Sequence, residues 1–275
     1  IDGVHPMKLL LVGGGKMGGA MLEGWLKGSL SPDDVTVIEP FAEAATQLSR
    51  DLGVTCVADA GKLDDDAAPE TVVLAVKPQM MDEALPAYAR FAGPDCLFVS
   101  IAAGKTIAYF EKHLGSKAAI VRAMPNTPAA VGRGITVGCP NPHVSESQRA
   151  WADELLSAVG EVAWVDDEGQ IDAVTALSGG GPAYVFLLAE VMAEAGRQAG
   201  LPADLAIRLA RVTVSGAGEL MHQSSDTPAT LRKNVTSPGG TTAEALKVLM
   251  ADDALQPLMT KAIAAATQRS KELAG

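Results

Sequence analysis

A glycine-rich stretch near the start of the sequence has the residue types and spacing of a phosphate-binding turn. Gly13, Gly15 and Gly18 match the pattern G-x-G-x-x-G, in which the glycines permit a tight turn, let the backbone approach a pyrophosphate and let a helix pack on a strand. An apolar run at 8–12 precedes them and helical character follows at 20–26. We therefore predict a dinucleotide site formed by Gly13, Gly14, Gly15, Lys16, Met17 and Gly18.

A second stretch, residues 234–242, combines polar side chains with two adjacent glycines, Gly239 and Gly240. Glycines leave backbone N–H groups uncovered, and the apolar-periodic segment that follows predicts a helix capped by Thr241 or Thr242. Because a helix N-terminus carries partial positive charge, the stretch is typical of a site for a carboxylate or a phosphate. An ordinary capped helix start after a Pro-Gly turn has the same sequence, and the residues alone leave both interpretations open.

The elements that must position these residues alternate between strands and helices in the first half of the chain. The second predicted strand, Val35–Ile38, ends at Glu39. This is about 20 residues after Gly18, where dinucleotide-binding folds place the acidic residue that bonds the adenosine ribose. A carboxylate there repels a 2′-phosphate, and the next arginine along the chain is Arg50. Glu39 thus favours NADH over NADPH, and a solvated glutamate at a strand end is the alternative.

Two further apolar strands end in loops of small or polar residues. The run at 71–76 is followed by Lys77 and Pro78, and the run at 96–101 is followed by Ala102-Ala103-Gly104. Fully apolar strands are typical of a parallel sheet that is buried on both faces, and such sheets bind ligands at the carboxyl ends of their strands. We therefore predict that both loops lie at the ligand-binding edge, where the small residues let the backbone come close to a nicotinamide.

The remaining elements of the first half continue the alternation. The predicted strand 119–123 ends in the loop 124–128, where two prolines fix the backbone. Asn126 and Thr127 of this loop offer hydrogen bonds at the same edge of the sheet. The other predicted elements are strands at 54–57, 135–139 and 162–165 and helices at 41–52, 80–91, 107–114 and 146–159.

After residue 168 only helical periodicity is found. The predicted fold class is therefore α/β, with an N-terminal Rossmann-like doubly wound sheet at 7–165 and an all-α C-terminal domain at 166–275. The helices have wide apolar faces with Ala and Gly at contact positions, which favours packing against a second subunit. A helical domain packed only within its own chain is the alternative. The predicted helices are 171–177, 182–199, 203–222, 228–234, 243–250 and 254–273.

Composition and charge argue against several other classes of protein. The net charge is −11, the pI is about 4.8 and no basic patch is found, which disfavours nucleic acid or an anionic membrane as a partner. No apolar run reaches ~18 residues, so no membrane span is expected. Cys56, Cys96 and Cys139 lack metal-binding or redox spacing and indicate a reduced, cytoplasmic protein with no metal. We interpret residues 1–6, which precede Met7, as an addition from cloning.

Taken together, these residues resemble the Δ1-pyrroline-5-carboxylate reductase family, over the whole chain from Met7. The resemblance implies a Rossmann domain, a helical domain that interlocks with a partner in an obligate dimer, sometimes assembled further, and an active site between the domains. The implied reaction is hydride transfer from NAD(P)H to the cyclic imine of Δ1-pyrroline-5-carboxylate, giving L-proline in the last step of proline biosynthesis. The motifs that carry the resemblance are 13–18, 75–78, 102–104, 124–128, 178–184 and 231–242.

Carried over position by position, the resemblance gives roles to the predicted loops. The backbone N–H groups of Gly239, Gly240 and Thr241 would hold the substrate carboxylate. Thr242 would place its hydroxyl near the ring nitrogen, and Asn234 would support this loop. The residues that would contact the cofactor, besides 13–18, are Ala75, Val76, Lys77, Pro78, Ala102, Ala103 and Gly104.

Two positions depart from the usual sequence of the family. Many members have a small or polar residue where this chain has Glu39, and many have an asparagine that touches the cofactor ribose where this chain has Ala60. Members usually use NADPH or both cofactors, so the resemblance implies NADPH or both, whereas Glu39 favours NADH. We therefore expect either NADPH or NADH as the cofactor.

Imine reduction needs no side-chain acid if the substrate binds as the protonated iminium. The sequence agrees with a reaction that needs no side-chain acid, because its four histidines all lie outside the motifs. They are His5, His113, His143 and His222. Prephenate-type dehydrogenases would use a histidine near the sheet edge, and β-hydroxyacid dehydrogenases a lysine in the helix 182–199, which has none. A non-enzymatic cofactor sensor on the same fold would explain the first glycine stretch but not a carboxylate site in the helical domain.

Overall fold

A computed structural model of the protein describes residues 8–274. The six residues interpreted as an addition from cloning lie outside the described residues, as do Met7 and Gly275. The described chain forms two compact units. The sheet unit comprises residues 8–179 and 267–274, and the helical unit comprises residues 180–266. The predicted domain division at residues 165 and 166 remains a prediction.

The sheet unit contains one sheet of eight strands in the order β3-β2-β1-β4-β5-β6-β7-β8. Strands β1 to β6 run parallel to their neighbours, β7 is antiparallel to β6, and β8 is parallel to β7. The reversal of strand order on either side of β1 is the doubly wound arrangement that the alternating pattern predicts. The strands are β1 (Leu9–Val12), β2 (Val35–Ile38), β3 (Thr55–Val57), β4 (Thr71–Leu74), β5 (Leu97–Ser100), β6 (Ala119–Met124), β7 (Gly134–Pro140) and β8 (Gly160–Trp164).

Helices cover both faces of this sheet, which explains why its central strands are apolar throughout. In β1, Leu9 and Leu11 join the core cluster beneath α1, α2 and α5, whereas Leu10 and Val12 join the cluster beneath α3 and α4. All four side chains are buried because successive residues of a strand point to opposite faces. The helices are α1 (Lys16–Lys27), α2 (Ala42–Leu52), α3 (Met81–Ala84), α4 (Ile107–Leu114) and α5 (Glu146–Ser157).

The single helix that we predicted at 80–91 is wrong. The segment consists of a 3₁₀ turn at Pro78–Met80, the short helix α3 and a second 3₁₀ stretch at Leu85–Phe91. Pro86 explains the break, because proline has no backbone N–H to donate and its ring crowds the preceding turn. Met81 and Leu85 are nevertheless fully buried against the sheet, so the apolar periodicity of the segment reports its packing correctly.

In the helical unit, helices α7 and α8 pack against each other. Small residues allow their close approach, since a Cβ on Gly196 would lie 3.4 Å from the Cβ of Ala206. Helix α11 begins in the helical unit and ends in the sheet unit. The remaining helices are α6 (Gln170–Val174), α7 (Gly181–Gln198), α8 (Ala203–Gln223), α9 (Pro228–Asn234), α10 (Thr241–Leu249) and α11 (Leu255–Ala274).

One helical stretch is longer and more apolar than the sequence pattern indicates. A π-helical turn, Thr175–Gly179, joins α6 to α7. The resulting stretch Gln170–Gln198 has 29 residues and is long and apolar enough, by length and composition alone, to cross a membrane. One such helix is weak evidence for a membrane protein, because an apolar helix of a soluble assembly meets the same criteria. The expectation that the chain has no membrane span remains a prediction.

Candidate active site

The carboxyl ends of the central strands meet at one edge of the sheet. Val12 of β1 is in register with Ile38 of β2 and with Leu74 of β4, and Leu74 is in register with Ser100 of β5. The residues that follow these strands therefore begin side by side. The structure thus brings the glycine loop, Glu39 and both predicted cofactor loops to the same edge.

The backbone of the glycine loop fits a pyrophosphate. Gly13 has a φ of +101°, which side chains rarely adopt, and its N–H donates to the Ile38 carbonyl oxygen at 2.9 Å. A Cβ on Gly18 would lie 2.2 Å from the Gly13 carbonyl oxygen, so only glycine allows α1 to start this close to the loop. Around Gly15, the N-cap of α1, no atom would lie within 4 Å of an added Cβ. Open space at a helix N-terminus suits an anion.

The other two loop residues differ in their surroundings. Lys16 is the first residue of α1 and is exposed, whereas Met17 is half-buried against the core cluster beneath α1. Lys16 therefore presents a positive charge beside the open helix N-terminus, which adds to the attraction for a phosphate. Met17 anchors the first turn of the helix by apolar packing.

Glu39 follows β2 at this edge of the sheet and is buried rather than solvated. Only 6% of its surface is exposed, and each carboxylate oxygen accepts a backbone hydrogen bond of 3.1 Å, one from Gly14 N–H and one from Phe41 N–H. A Cβ on Gly14 would lie 3.2 Å from a Glu39 oxygen and 2.5 Å from Leu48 Cδ1. The carboxylate thus fixes the glycine loop, and the alternative of a solvated glutamate is wrong.

The loop after β4 packs directly on the glycine loop. The Ala75 Cβ lies 3.2 Å from the position of a Cβ on Gly18, and Ala75 N–H donates to the Val12 carbonyl oxygen at 2.8 Å. Val76 is half-buried, Lys77 is exposed, and Pro78 starts the 3₁₀ turn. The close approach of this loop therefore adds a second reason for glycine at position 18.

The loop after β5 combines a buried and an exposed part. Ala102 is buried and its N–H donates to Ser100 Oγ at 3.3 Å, while Ala103 is exposed. Gly104 has a φ of +73°, and an added Cβ would lie 3.3 Å from the Leu273 carbonyl oxygen at the end of α11. The conformation and this contact both require glycine at position 104.

A polar cluster that our sequence reasoning missed joins these two cofactor loops. The Tyr109 hydroxyl donates to Asp82 Oδ1 at 2.5 Å, and Lys105 Nζ lies 3.5 Å from the same oxygen and 4.1 Å from the Tyr109 ring centre. The hydrogen bond from Tyr109 lowers the pKa of Asp82, and burial followed by that bond raises the pKa of Tyr109. Asp82 follows the first loop and Lys105 directly follows the second, so the cluster holds the loops together.

A buried ion pair was also missed, although the sequence has a signal for it. Arg122 lies inside the apolar strand β6, is 4% exposed and pairs with Glu168 at 2.7 Å. The same Glu168 oxygen accepts from Ile107 N–H at the start of α4, at 2.8 Å. A charged residue within an apolar strand indicates a buried partner, but the sequence does not identify that partner. The pair connects β6 and α4 to the chain entering α6.

In the helical unit, the loop 234–242 forms a tight turn followed by α10. The Gly240 N–H donates to the Ser237 carbonyl oxygen at 3.1 Å across Pro238 and Gly239, and Gly239 has a φ of +70°. Proline followed by a residue of positive φ is the arrangement of a type II turn. One of the three N–H groups predicted to hold a carboxylate is therefore used by the turn itself.

The other residues of this loop are open to a ligand. Within residues 8–274 no acceptor is found for the N–H groups of Gly239 and Thr241, and Thr242 is exposed. Asn234, the last residue of α9, is also exposed. The expected threonine cap is wrong, because Gly240 is the N-cap and Thr241 already has helical geometry. The loop thus places two N–H groups at the N-terminus of α10.

Comparison with known proteins agrees with this arrangement over the whole chain. Residues 168–273 match the family model of pyrroline-5-carboxylate reductase dimerisation, and residues 8–104 match that of NADP oxidoreductase, coenzyme F420-dependent. A pyrroline-5-carboxylate reductase of Pseudomonas aeruginosa is 40% identical over 267 residues, which are 97% of each chain.

Solved structures give the same result. A pyrroline-5-carboxylate reductase from Coxiella burnetii is 36% identical with a TM-score of 0.91, covering 98% of this chain and 100% of that one. The pyrroline carboxylate reductase of Plasmodium falciparum, solved with NADP bound, is 28% identical with a TM-score of 0.80, covering 99% and 100%. The predicted fold class is confirmed, and the C-terminal helices form a domain of self-association. The chain belongs to the pyrroline-5-carboxylate reductase family.

Proposed function

We propose that this protein reduces the cyclic imine of Δ1-pyrroline-5-carboxylate to L-proline, with NADH or NADPH as the reductant. The observation that carries the proposal is the glycine loop, with Gly13 and Gly18 in contact and open space at Gly15, in a chain that matches the family over its full length. When bound, the nicotinamide cofactor supplies the hydride. The residues that hold it are 13–18, Glu39, 75–78 and 102–104.

The carboxylate of the substrate binds at the N-terminus of α10. Gly239 and Thr241 donate their N–H groups to it, while Gly240 maintains the turn through Ser237. The positive end of a nine-residue helix strengthens this attraction. Local donors are needed because the net charge of −11 repels an anionic substrate. Asn234, the exposed last residue of α9, supports this loop.

Thr242 orients the ring nitrogen of the substrate. Its exposed side chain follows the two N–H donors on the first turn of α10, so a ligand held by its carboxylate lies close to the hydroxyl. This hydroxyl accepts from the protonated imine and keeps the imine carbon turned toward the hydride donor. No further side-chain acid is required, since the substrate arrives already protonated.

The substitution Thr242→Val tests this role. We expect kcat/KM for the cyclic imine to fall about tenfold, which is the loss of one hydrogen bond of about 1.4 kcal/mol. Thr241→Val is the matched control, because it makes the same change one residue earlier and keeps the N–H that binds the carboxylate. If Thr242→Val and Thr241→Val have the same kcat/KM, Thr242 has no such role.

Glu39 makes NADH the preferred cofactor. Its buried carboxylate concentrates negative charge beside the glycine loop, and this charge opposes the 2′-phosphate of NADPH. Initial rates with each cofactor at matched concentrations, followed at the nicotinamide absorbance, measure the preference. A strong preference for NADPH would contradict this role of Glu39, and failure of both cofactors to be oxidised by the imine would contradict the proposed reaction itself.

The protein acts as a homodimer through its C-terminal helices, in the cytoplasm, without nucleic acid or membrane as a partner. The domain division at residues 165 and 166 separates cofactor binding from substrate binding and dimerisation. Burial keeps two of the cysteines protonated, since it raises the pKa of Cys96 to about 12 and that of Cys139 to about 11. Purification of the native assembly without detergent is expected, and a requirement for detergent would instead favour a membrane location for Gln170–Gln198.

A further inference from the structure

The loops after β4 and β5 leave the sheet side by side, and the sheet holds the start of each. Leu74, the last residue of β4, is in register with Ser100, the last residue of β5. Ala75 N–H donates to the Val12 carbonyl oxygen at 2.8 Å, and Ile101 N–H donates to the Leu74 carbonyl oxygen at 3.2 Å. The first residue after each strand thus continues the hydrogen bonding of the sheet. Other contacts must hold the rest of each loop.

One acidic side chain, Asp82, connects the segments that follow the two loops. It is the second residue of α3, which follows the loop 75–78. Its Oδ1 accepts from the Tyr109 hydroxyl at 2.5 Å and lies 3.5 Å from Lys105 Nζ. Lys105 directly follows the loop 102–104, and Tyr109 lies in the first turn of α4. Each loop is therefore held by the sheet at its start and by the Asp82 contacts after its end.

The Tyr109 side chain is already restricted before it bonds Asp82. Lys105 Nζ lies 4.1 Å from the centre of its ring, and the centre of the His113 ring lies 4.5 Å from it. The hydroxyl of Thr106, the N-cap of α4, accepts from Tyr109 N–H at 3.2 Å. Because ring and backbone are both held, little further entropy is lost when the Tyr109 hydroxyl bonds Asp82.

The hydrogen bond from Tyr109 contributes more to this connection than the ion pair with Lys105. The Asp82 side chain is 69% exposed, and exposed ion pairs contribute little because water screens them. Hydrogen bonds with a charged acceptor are about twice as strong as neutral ones. Burial, followed by the bond to Asp82, raises the pKa of Tyr109, so the hydroxyl keeps its proton and remains a donor. Tyr109 thus connects two segments rather than supplying a proton to a substrate.

We propose that Tyr109 and Asp82 are positioning residues for the cofactor, which keep the loops 75–78 and 102–104 in the arrangement that binds the nicotinamide half of the dinucleotide. The inference rests on the proposed function, which assigns both loops to the cofactor. The two side chains act through the backbone of the loops. When their hydrogen bond is lost, only a fraction of the molecules has both loops in place, and the apparent affinity for the cofactor falls with that fraction.

The substitution Tyr109→Phe tests the inference, because it removes the hydroxyl and keeps the ring. We expect the dissociation constant for NADH, measured by fluorescence titration, to rise about fivefold, the equivalent of one lost hydrogen bond. The KM for NADH should rise as well, whereas kcat at saturating NADH should stay the same, because bound cofactor orders the loops. General damage to the fold would not separate KM from kcat in this way.

Hydrogen exchange measures the loops in the protein without cofactor. Met80 N–H donates to the Lys77 carbonyl oxygen at 2.9 Å, and Ala102 N–H donates to Ser100 Oγ at 3.3 Å. Both amides should exchange faster in Tyr109→Phe than in the original protein. Unchanged exchange at both amides would overturn the inference, since the bond would then not restrain the loops.

The matched control is Tyr88→Phe. Tyr88 is buried in the core cluster beneath α3 and α4, against which Tyr109 also packs, and it lies in the 3₁₀ stretch after α3, outside both loops. The control therefore removes the same hydroxyl from the same side of the sheet. It should leave the dissociation constant for NADH unchanged. Equal rises for Tyr88→Phe and Tyr109→Phe would overturn the inference.

Two substitutions of Asp82 separate the hydrogen bond from the negative charge. Asp82→Asn removes the charge and keeps an oxygen that accepts from Tyr109, whereas Asp82→Ala removes both. NADH is anionic, so if Asp82 acted only by its charge, both substitutions would tighten binding. The hydrogen bond instead predicts weaker binding for Asp82→Ala, by the same factor as for Tyr109→Phe, and little change for Asp82→Asn. Tighter or unchanged binding by Asp82→Ala would overturn the inference.

The double variant Asp82→Ala with Tyr109→Phe completes the test. Once one partner is gone, removal of the other costs nothing further, so the double variant should bind NADH as each single variant does. Additive effects would overturn the inference. If the original protein binds NADH but does not reduce the imine, the proposed reaction fails and the dissociation constants still test the restraint. If it binds neither NADH nor NADPH, the proposed function and the inference both fail.

Discussion

The two compact units differ in how far they bury their apolar side chains within the single chain. In the sheet unit, the strands carry apolar residues on both faces and helices cover both. Of residues 180–266, all of which are described, only Ala206 and Ala210 are fully buried. The large apolar side chains that remain exposed on α7 and α8 are Val185, Phe186, Leu187, Leu188, Val191, Met192, Leu205, Ile207, Leu209, Val212, Leu220 and Met221.

This difference shows which unit depends on a second copy of the chain. So many exposed large apolar side chains indicate an interface in a soluble protein, and the matching family model describes this part of the chain as a dimerisation domain. The stability of the sheet unit should therefore be independent of protein concentration, whereas that of the helical unit should increase with concentration. Four substitutions test this contrast.

The largest effect is expected for Phe186→Glu and Val212→Glu, on the exposed faces of α7 and α8. The two side chains are 63% and 62% exposed in the single chain, and a charge buried without a partner costs several kcal/mol. We expect the dissociation constant of the assembly to rise at least about 100-fold. Light scattering after size-exclusion chromatography should give the mass of a monomer, with loss of activity.

Thr46→Glu on α2 is the matched control, because Thr46 is exposed in the sheet unit and receives the same new charge. It should keep the mass of the original assembly. If Phe186→Glu and Val212→Glu also keep that mass, the exposed faces of α7 and α8 are not the interface, and the contrast between the units fails.

An intermediate effect is expected inside the sheet unit for Glu168→Gln. Arg122 is 4% exposed, and removal of the Glu168 charge leaves it buried without its counter-ion. Breaking a buried ion pair costs about 3 kcal/mol. Urea unfolding should show this loss of stability at every protein concentration, unlike the effect in the helical unit.

Glu23→Gln on α1 is the corresponding control, since it breaks an exposed pair with Lys27 at 3.5 Å. Such surface pairs contribute about 0.5 kcal/mol or less. If Glu168→Gln lowers the free energy of unfolding by no more than Glu23→Gln does, the buried pair does not stabilise the sheet unit. If the loss of unfolding free energy for Glu168→Gln varies with protein concentration, the two units do not unfold separately.

The sequence predicted the sheet unit well because its signals are local. The strand β2 and the helix α4 of this unit begin and end at the predicted residues, as does α9 in the helical unit. The conformation of Gly13 and its contact with Gly18 also follow from residues close together in the chain. Hydrophobic periodicity and glycine spacing both report on neighbours in sequence, so they suffice for these elements.

The contacts that the sequence did not predict join residues far apart in the chain. Arg122 and Glu168 are 46 residues apart, and Asn126 and Ser178 are 52 residues apart. Nothing in the local sequence around Asn126 distinguishes a side chain that binds a ligand from one that bonds the backbone. Likewise, the π-helical turn cannot be distinguished from an α-helix by the apolar pattern of 171–177, because one extra residue in a turn changes the periodicity only slightly.

The smallest effect is expected for Asp34→Asn, in the turn before β2. Asp34 accepts from both the N–H and the hydroxyl of Ser31, at 2.8 and 2.7 Å, and lies 3.3 Å from Lys8 Nζ. The Ser31 hydrogen bonds, followed by Lys8, lower the pKa of Asp34 from 3.8 to about 2. The substitution should cost about 1 kcal/mol at pH 7, as loss of a cap does. The cost should be independent of protein concentration.

The pH dependence of this cost has a definite sign. Because the pKa is lower in the folded state, the carboxylate stabilises the fold above about pH 4, and this contribution is lost as the pH falls toward 2. The difference in the free energy of unfolding between the original protein and Asp34→Asn should therefore shrink over this range. Asp33→Asn, which removes the neighbouring exposed carboxylate, should change stability by less than about 0.5 kcal/mol at pH 7. If the difference in the free energy of unfolding between the original protein and Asp34→Asn stays constant between pH 7 and pH 2, the negative charge of Asp34 does not contribute to stability. The local contribution to the sheet unit would then come from the geometry of the Ser31 turn alone.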